Sequence, residues 1–182
     1  MILIPKNKFK QKGWYLPFCC KSRLFVLSFD ESFMYIGKNQ TDIHKIFGIG
    51  LLCFNSFKKG KNKKWWEIHK WISMRLGARW NNDLKLVELM DYSYVNGVGE
   101  RDATDNKILK VKAHKEESKR DKVMCKISIE KNGLLLLATN LNTLDTINVF
   151  IPCKIPKLYL CLRLRAYMEN VFRTGDVNIY TH

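Results

Sequence analysis

Lys122-Val-Met-Cys-Lys-Ile-Ser-Ile-Glu130 alternates apolar and polar positions, with Val123, Cys125, Ile127 and Ile129 on one side and Lys122, Lys126, Ser128 and Glu130 on the other. A period of two is the mark of a strand with one buried face. Asn132-Gly133 follows, and both residue types accept the positive φ of a two-residue type I′ turn, so the pattern predicts a hairpin over 122–139. The same pattern recurs upstream: Trp71–Trp80 and Leu84–Val95 flank Asn81-Asn82-Asp83, and Asn96-Gly97 closes the second segment. Leu84, Val87 and Met90 also sit at helical spacing. The run continues into Tyr92, Tyr94 and Val95, which suit a pleated surface, so strand is the reading, with helix as the alternative.

Further strands are predicted at Arg23–Phe29, Phe33–Ile36, Ile49–Phe54, Lys107–Ala113, Thr146–Ile151, Leu158–Tyr167 and Asp176–Thr181. In Leu158–Tyr167 the leucines take one side, and Tyr159, Cys161, Arg163 and Arg165 take the other. Roughly ten strands across the chain, with no convincing helix over 71–182, predict an all-β fold of two packed antiparallel sheets, a β-sandwich. The expected organisation is a basic amino-terminal arm over residues 1–21 and one sandwich domain over residues 22–182.

Composition fits a folded domain: 46% hydrophobic, 12% aromatic and 27% charged residues can bury a core and stay soluble. No stretch approaches the roughly 18 apolar residues of a membrane span, and Met-Ile-Leu-Ile-Pro-Lys is too short for a signal sequence core. Synthesis in a reducing host cytoplasm is expected, with packaging from it as an option. Cys53, Cys125, Cys153 and Cys161 lie in apolar, strand-like surroundings where a thiol behaves as a small hydrophobe. Cys19-Cys20 is a vicinal pair with no Cys-x-x-Cys anywhere, so neither a metal nor another cofactor is expected.

The charge of +15 is uneven: residues 1–70 carry 14 Lys/Arg against 4 Asp/Glu, whereas residues 71–182 carry 18 against 13. Lys6, Lys8, Lys10 and Lys12 recur at every second position before Trp14, and Lys58, Lys59, Lys61, Lys63 and Lys64 crowd a segment ending in Trp65-Trp66. Such clusters suit an anionic partner: an acidic protein surface, a nucleic acid or an acidic glycan. Trp65, Trp66, Tyr92 and Tyr94 are candidates for aromatic contact with sugars, the tryptophans having core packing as their other reading. The mixed-sign stretch Gly99–Asp121 reads as a solvated, mobile loop.

Catalysis finds no support in the pattern. His44, His69, His114 and His182 lie in unrelated contexts without zinc-helix spacing. Glu88 and Asp91 differ by three, so in a strand they face opposite ways and cannot pair across a cleft. Phe47-Gly-Ile-Gly50 is better read as a bend than as half of a phosphate loop.

Asp42-Ile-His-Lys-Ile-Phe-Gly-Ile, Ser73-Met-Arg-Leu-Gly-Ala-Arg-Trp80, Lys85-Leu-Val-Glu-Leu-Met-Asp-Tyr-Ser-Tyr-Val-Asn-Gly97, Leu162-Arg-Leu-Arg-Ala-Tyr167 and Asp176-Val-Asn-Ile-Tyr180 occur in that order. Over about residues 40–180 this series resembles an uncharacterised family of gut Bacteroidetes and crAss-like phages whose members read as lectin-like sandwiches of the concanavalin or jelly-roll type. Where that family has an aromatic-Gly-Gly segment and a Pro-His-Asp turn, this chain has Tyr167-Met-Glu-Asn-Val-Phe-Arg-Thr-Gly-Asp176 and keeps the Tyr and the Asp. The resemblance implies a phage-encoded origin. The expectation is a non-catalytic structural or interaction protein, virion-associated, that docks through its basic amino-terminal region on virion or host proteins with acidic surfaces. A carbohydrate-binding lectin-like module is the alternative, and a nucleic-acid-binding protein the weaker one. An oligomer is compatible with each.

Overall fold

A computed structural model describes residues 2–4, 21–34, 43–54, 68–95, 98–100, 107–155, 157, 159–164 and 177–181. They form a two-sheet antiparallel β-sandwich of twelve strands. The strands are β1 (Ile2–Ile4), β2 (Ser22–Phe29), β3 (His44–Phe54), β4 (Ile68–Asn81), β5 (Leu86–Val95), β6 (Val98–Glu100), β7 (Leu109–Val111), β8 (Val123–Glu130), β9 (Gly133–Asn140), β10 (Thr146–Pro152), β11 (Tyr159–Leu164) and β12 (Val177–Thr181). The first sheet has the order β1-β12-β2-β8-β9-β10, and the second β11-β3-β4-β5-β6 with β7 also on β5. Among the described residues there is no α-helix, only single 3-10 turns at Glu31–Phe33 and Glu117–Lys119.

Alternation decides what lies between the sheets. Val123, Cys125 and Ile127 of β8, Leu134, Leu136 and Ala138 of β9, and Leu27 and Phe29 of β2 meet Ile49 and Leu51 of β3, Ile72, Met74 and Leu76 of β4, and Val87 and Leu89 of β5. Each fully buried aliphatic side chain contributes about 1.5–3 kcal/mol relative to exposure, so this layer dominates the stability. Burial pushes the Cys125 thiol far above its ordinary value, leaving it a neutral, small apolar group.

The strand reading of 84–95 holds over Leu86–Val95, which pairs along its length with β4 from Asn81↔Leu86 to Ile72↔Val95, so the helical alternative falls. Other expectations need correction. Phe33 ends a 3-10 turn, capped by the Asp30 carboxylate accepting from the Ser32 amide at 2.9 Å; it does not start a strand, and Tyr35 and Ile36 lie outside the described residues. Residues 2–4 are not part of an arm, because β1 pairs with β12 from Ile2↔Ile179 to Ile4↔Val177. The stretch 107–121 is tied down: the Asp121 carboxylate accepts from the Lys112 amide and from Asn140 Nδ2, both at 2.9 Å. Arg120 beside it is buried and donates to the His114 and Lys115 carbonyls at 2.7 and 2.6 Å.

The 122–139 hairpin forms, but its turn is displaced by one residue. Glu130 pairs with Gly133, so Lys131-Asn132 is the loop and Gly133 opens β9. Among the described non-glycine residues, positive φ occurs at Lys85 (54°) and Leu144 (65°), not at Asn132, and Gly133 is not left-handed either. Gly133 is required for a different reason. A Cβ there would lie 2.2 Å from the Ile151 carbonyl oxygen, so only glycine lets β9 approach β10 at this rung.

Candidate binding face

The outer face of the second sheet concentrates the polar side chains of this half of the molecule. Register fixes its rows: Arg75 stands beside Gly48 and Tyr92, Ser73 beside Gly50 and Tyr94, Gly77 beside Lys45 and Met90, and Arg79 beside Glu88. Lys110 of β7 extends the last row next to Glu88. Three glycines leave gaps that neighbours fill. The Trp71 indole lies 2.4 Å from where a Gly50 Cβ would be, the Arg75 Cγ 2.5 Å from that of Gly48, and the Ile43 Cγ2 2.4 Å from that of Gly77. Long side chains therefore lie flat along the strands instead of standing off the sheet.

At one end of the face Glu88 is buried and doubly held. Arg79 Nε donates to its Oε2 at 2.6 Å and Asn81 Nδ2 to its Oε1 at 2.8 Å. A buried carboxylate needs such partners, since its desolvation is otherwise unrecovered. At the other end the Tyr92 and Tyr94 hydroxyls hydrogen-bond to each other at 2.6 Å with their rings 5.3 Å apart. Lys45 Nζ lies 4.6 Å from the Tyr92 ring centroid, within cation–π range. Ser73, between the glycine row and Tyr94, is 1% exposed, and its hydroxyl has no hydrogen-bond partner.

The expected sites fall unevenly on this arrangement. Tyr92 and Tyr94 share the face, as their spacing requires, but Tyr92 is only 4% exposed and Tyr94 is half-buried, so neither is a freely standing platform. Lys6, Lys8, Lys10, Lys12, Lys58, Lys59, Lys61, Lys63, Lys64, Trp65 and Trp66 lie outside the described residues. Glu88 and Asp91 point to opposite faces, as parity demands. Sequence reasoning passed over Lys45, Arg75, Arg79 and Lys110. The alternation of Trp71, Ser73, Arg75, Gly77 and Arg79 in β4 carried the signal, but only the pairing of β3, β5 and β7 shows what stands beside each. Among the described residues no three His, Cys, Asp or Glu side chains are grouped as metal ligands, and no helix is long and apolar enough to cross a membrane.

No protein-family model matches the chain, and no curated protein matches it. Among solved structures it is similar to a functionally unknown protein from Saccharomyces cerevisiae, with 11% identity and a TM-score of 0.43, over 98% of this chain and 85% of that one. A likeness of that size bears on neither ligand nor activity.

Proposed function

We propose that this is a non-catalytic interaction protein that docks on an anionic partner. The observation that carries the reading is the charge ratio on the outer face of the second sheet, where the described side chains Lys45, Arg75, Arg79 and Lys110 stand against Glu88 alone. The sequence adds to it, because the lysines at 6–12 and 58–64 give the amino-terminal 70 residues most of the chain's excess charge. A surface of this kind binds by steering and charge neutralisation, and releases its partner as salt is raised. With the resemblance over residues 40–180, the reading extends to a phage-encoded, virion-associated protein whose partners are acidic virion or host proteins.

The test is retention on the native particle or partner complex. Changing Lys6, Lys8, Lys10 and Lys12 to Gln leaves β1 intact and should lower the salt concentration at which the protein is released; Lys45→Glu with Lys110→Glu should do the same. Unchanged release by both sets removes the reading. A second reading, carbohydrate binding, is favoured by the Tyr92–Tyr94 hydroxyl pair beside the unpartnered Ser73 hydroxyl. It predicts glycan-array binding that Tyr94→Phe weakens, and a blank array ends it.

A further inference from the structure

The outer face of the first sheet has the opposite character. Leu24, Val26, Met124, Leu135, Leu137 and Phe150 all point away from the core, as their registers with β8 and β9 require. Leu24 is 67% exposed and Phe150 46%. Contiguous apolar groups of this kind on a sheet face mark an interaction surface more often than an accident of composition. Its charge is equally distinctive: within β2, β8, β9 and β10 the outward side chains include one cation and one anion, Lys126 and Glu130, with Lys122 just beyond the end of β8, so the face is close to neutral on a protein of net charge +15.

We infer that this face is where a second copy of the chain docks, sheet against sheet, about a two-fold axis running across the strands over Ser128. Lys126 and Glu130 lie on one strand and one face, four residues or about 13 Å apart, with Ser128 midway. A two-fold axis at that position lays β8 antiparallel on β8 of the second copy. Lys126 then faces Glu130 of the second copy, and the reverse pair forms by symmetry, which is the self-complementarity an isologous interface needs. Leu135 and Phe150 share the Ser128 row, so each meets its own mate along the axis, Leu135 near the middle of the contact and Phe150 at its β10 edge. Sheet-on-sheet packing at about 10 Å is the ordinary way two such faces exclude water.

The size is adequate for a reversible dimer. Strands β2, β8, β9 and β10, at about 4.8 Å spacing and about 26 Å length, cover about 500 Å² per copy, or about 1,000 Å² in total. The two +15 bodies repel at long range, but that repulsion is screened beyond about 8 Å at physiological ionic strength, and the contact itself is close to neutral. Added salt therefore leaves the dimer intact or strengthens it, whereas docking on an anionic partner weakens, so the two proposals fail independently.

Sedimentation over a concentration series decides it. The wild type should be a dimer in reversible exchange with monomer; Lys126→Glu and Glu130→Lys should each raise the dissociation constant about tenfold or more. The double variant K126E/E130K should return it to within about threefold of wild type, because the swapped charges pair again across the two-fold axis. Phe150→Glu should abolish association, with circular dichroism showing a native sandwich in every variant. A monomer at all concentrations, association indifferent to the single changes, or a double variant no better than the singles would each overturn the inference.

Discussion

Replacing Gly133 by alanine is expected to destabilise the sandwich by about 2–4.5 kcal/mol, although the change is small and lies beside a surface turn. An added Cβ would sit 2.2 Å from the Ile151 carbonyl oxygen and 2.7 Å from Phe150 Cζ. The phenyl ring can turn aside, but the carbonyl belongs to a paired strand, so β9 and β10 must separate by about 1 Å to restore ordinary contact. That separation strains the Leu134↔Ile151 rung, to which the crowded carbonyl belongs, and the Cys153 amide's hydrogen bond to the Asn132 carbonyl at 3.0 Å; Pro152, opposite Gly133, has no N–H to lose. Two weakened backbone bonds cost about 2 kcal/mol together and the overpacking a further 1–3, against about 0.4–1 recovered by restricting the unfolded chain. Urea unfolding at fixed pH reads the difference as a shift in midpoint at constant slope. The control is Asn132→Ala, expected within about 0.5 kcal/mol of wild type because Asn132 has no positive φ to lose. If Gly133→Ala is neutral, or if Asn132→Ala is the costly one, the close-approach account is wrong and the turn's own conformation is what matters.

Three further outcomes follow from the packing. Glu88→Ala leaves Arg79 and Asn81 without their acceptor beside the second sheet; since Arg79 keeps 29% exposure, the loss in urea unfolding should be about 1–3 kcal/mol, and a cost below about 0.5 would mean the pair is effectively solvated. Leu144 is 74% exposed at φ 65°, so Leu144→Gly should be close to neutral while β-branched Leu144→Val should cost about 1–2 kcal/mol, and equal effects would contradict the assigned backbone. For Cys125, the folded pKa lies above the unfolded one, so its contribution is intact below the unfolded pKa and is lost as pH rises past it; stability should fall above about pH 8.5, less steeply in Cys125→Ala, and identical slopes would refute the burial.

The sandwich was legible because alternation is a local property. Val123 to Ile129 and Ile147 to Ile151 declare their faces without reference to any other strand, and both segments turned out as read. What could not be read was the third dimension of each pattern. In β11 the leucines read as one side and Tyr159 and Cys161 as the other, yet it is Tyr159 and Cys161 that pack on the core while Leu160 faces outward. Alternation divides a strand into faces and does not say which is inside; the register with β3 decides that. Asn132-Gly133 signalled a turn correctly, but the chemistry of that dipeptide does not distinguish a left-handed glycine from one required by a neighbouring carbonyl. The Arg79–Glu88 pair, nine residues apart in sequence, becomes a site only once β4 and β5 fold back on each other.

The central claim is that the protein works through charge, holding an anionic partner against a cationic surface. Its most direct measurement is the dependence of that association on salt, followed by titration on the purified partner complex from its native source. A linear loss of log affinity with log salt concentration, made shallower by the Lys6–Lys12 and Lys45/Lys110 substitutions, is the predicted result. Affinity that stays level as salt is raised, with all variants alike, would contradict the account.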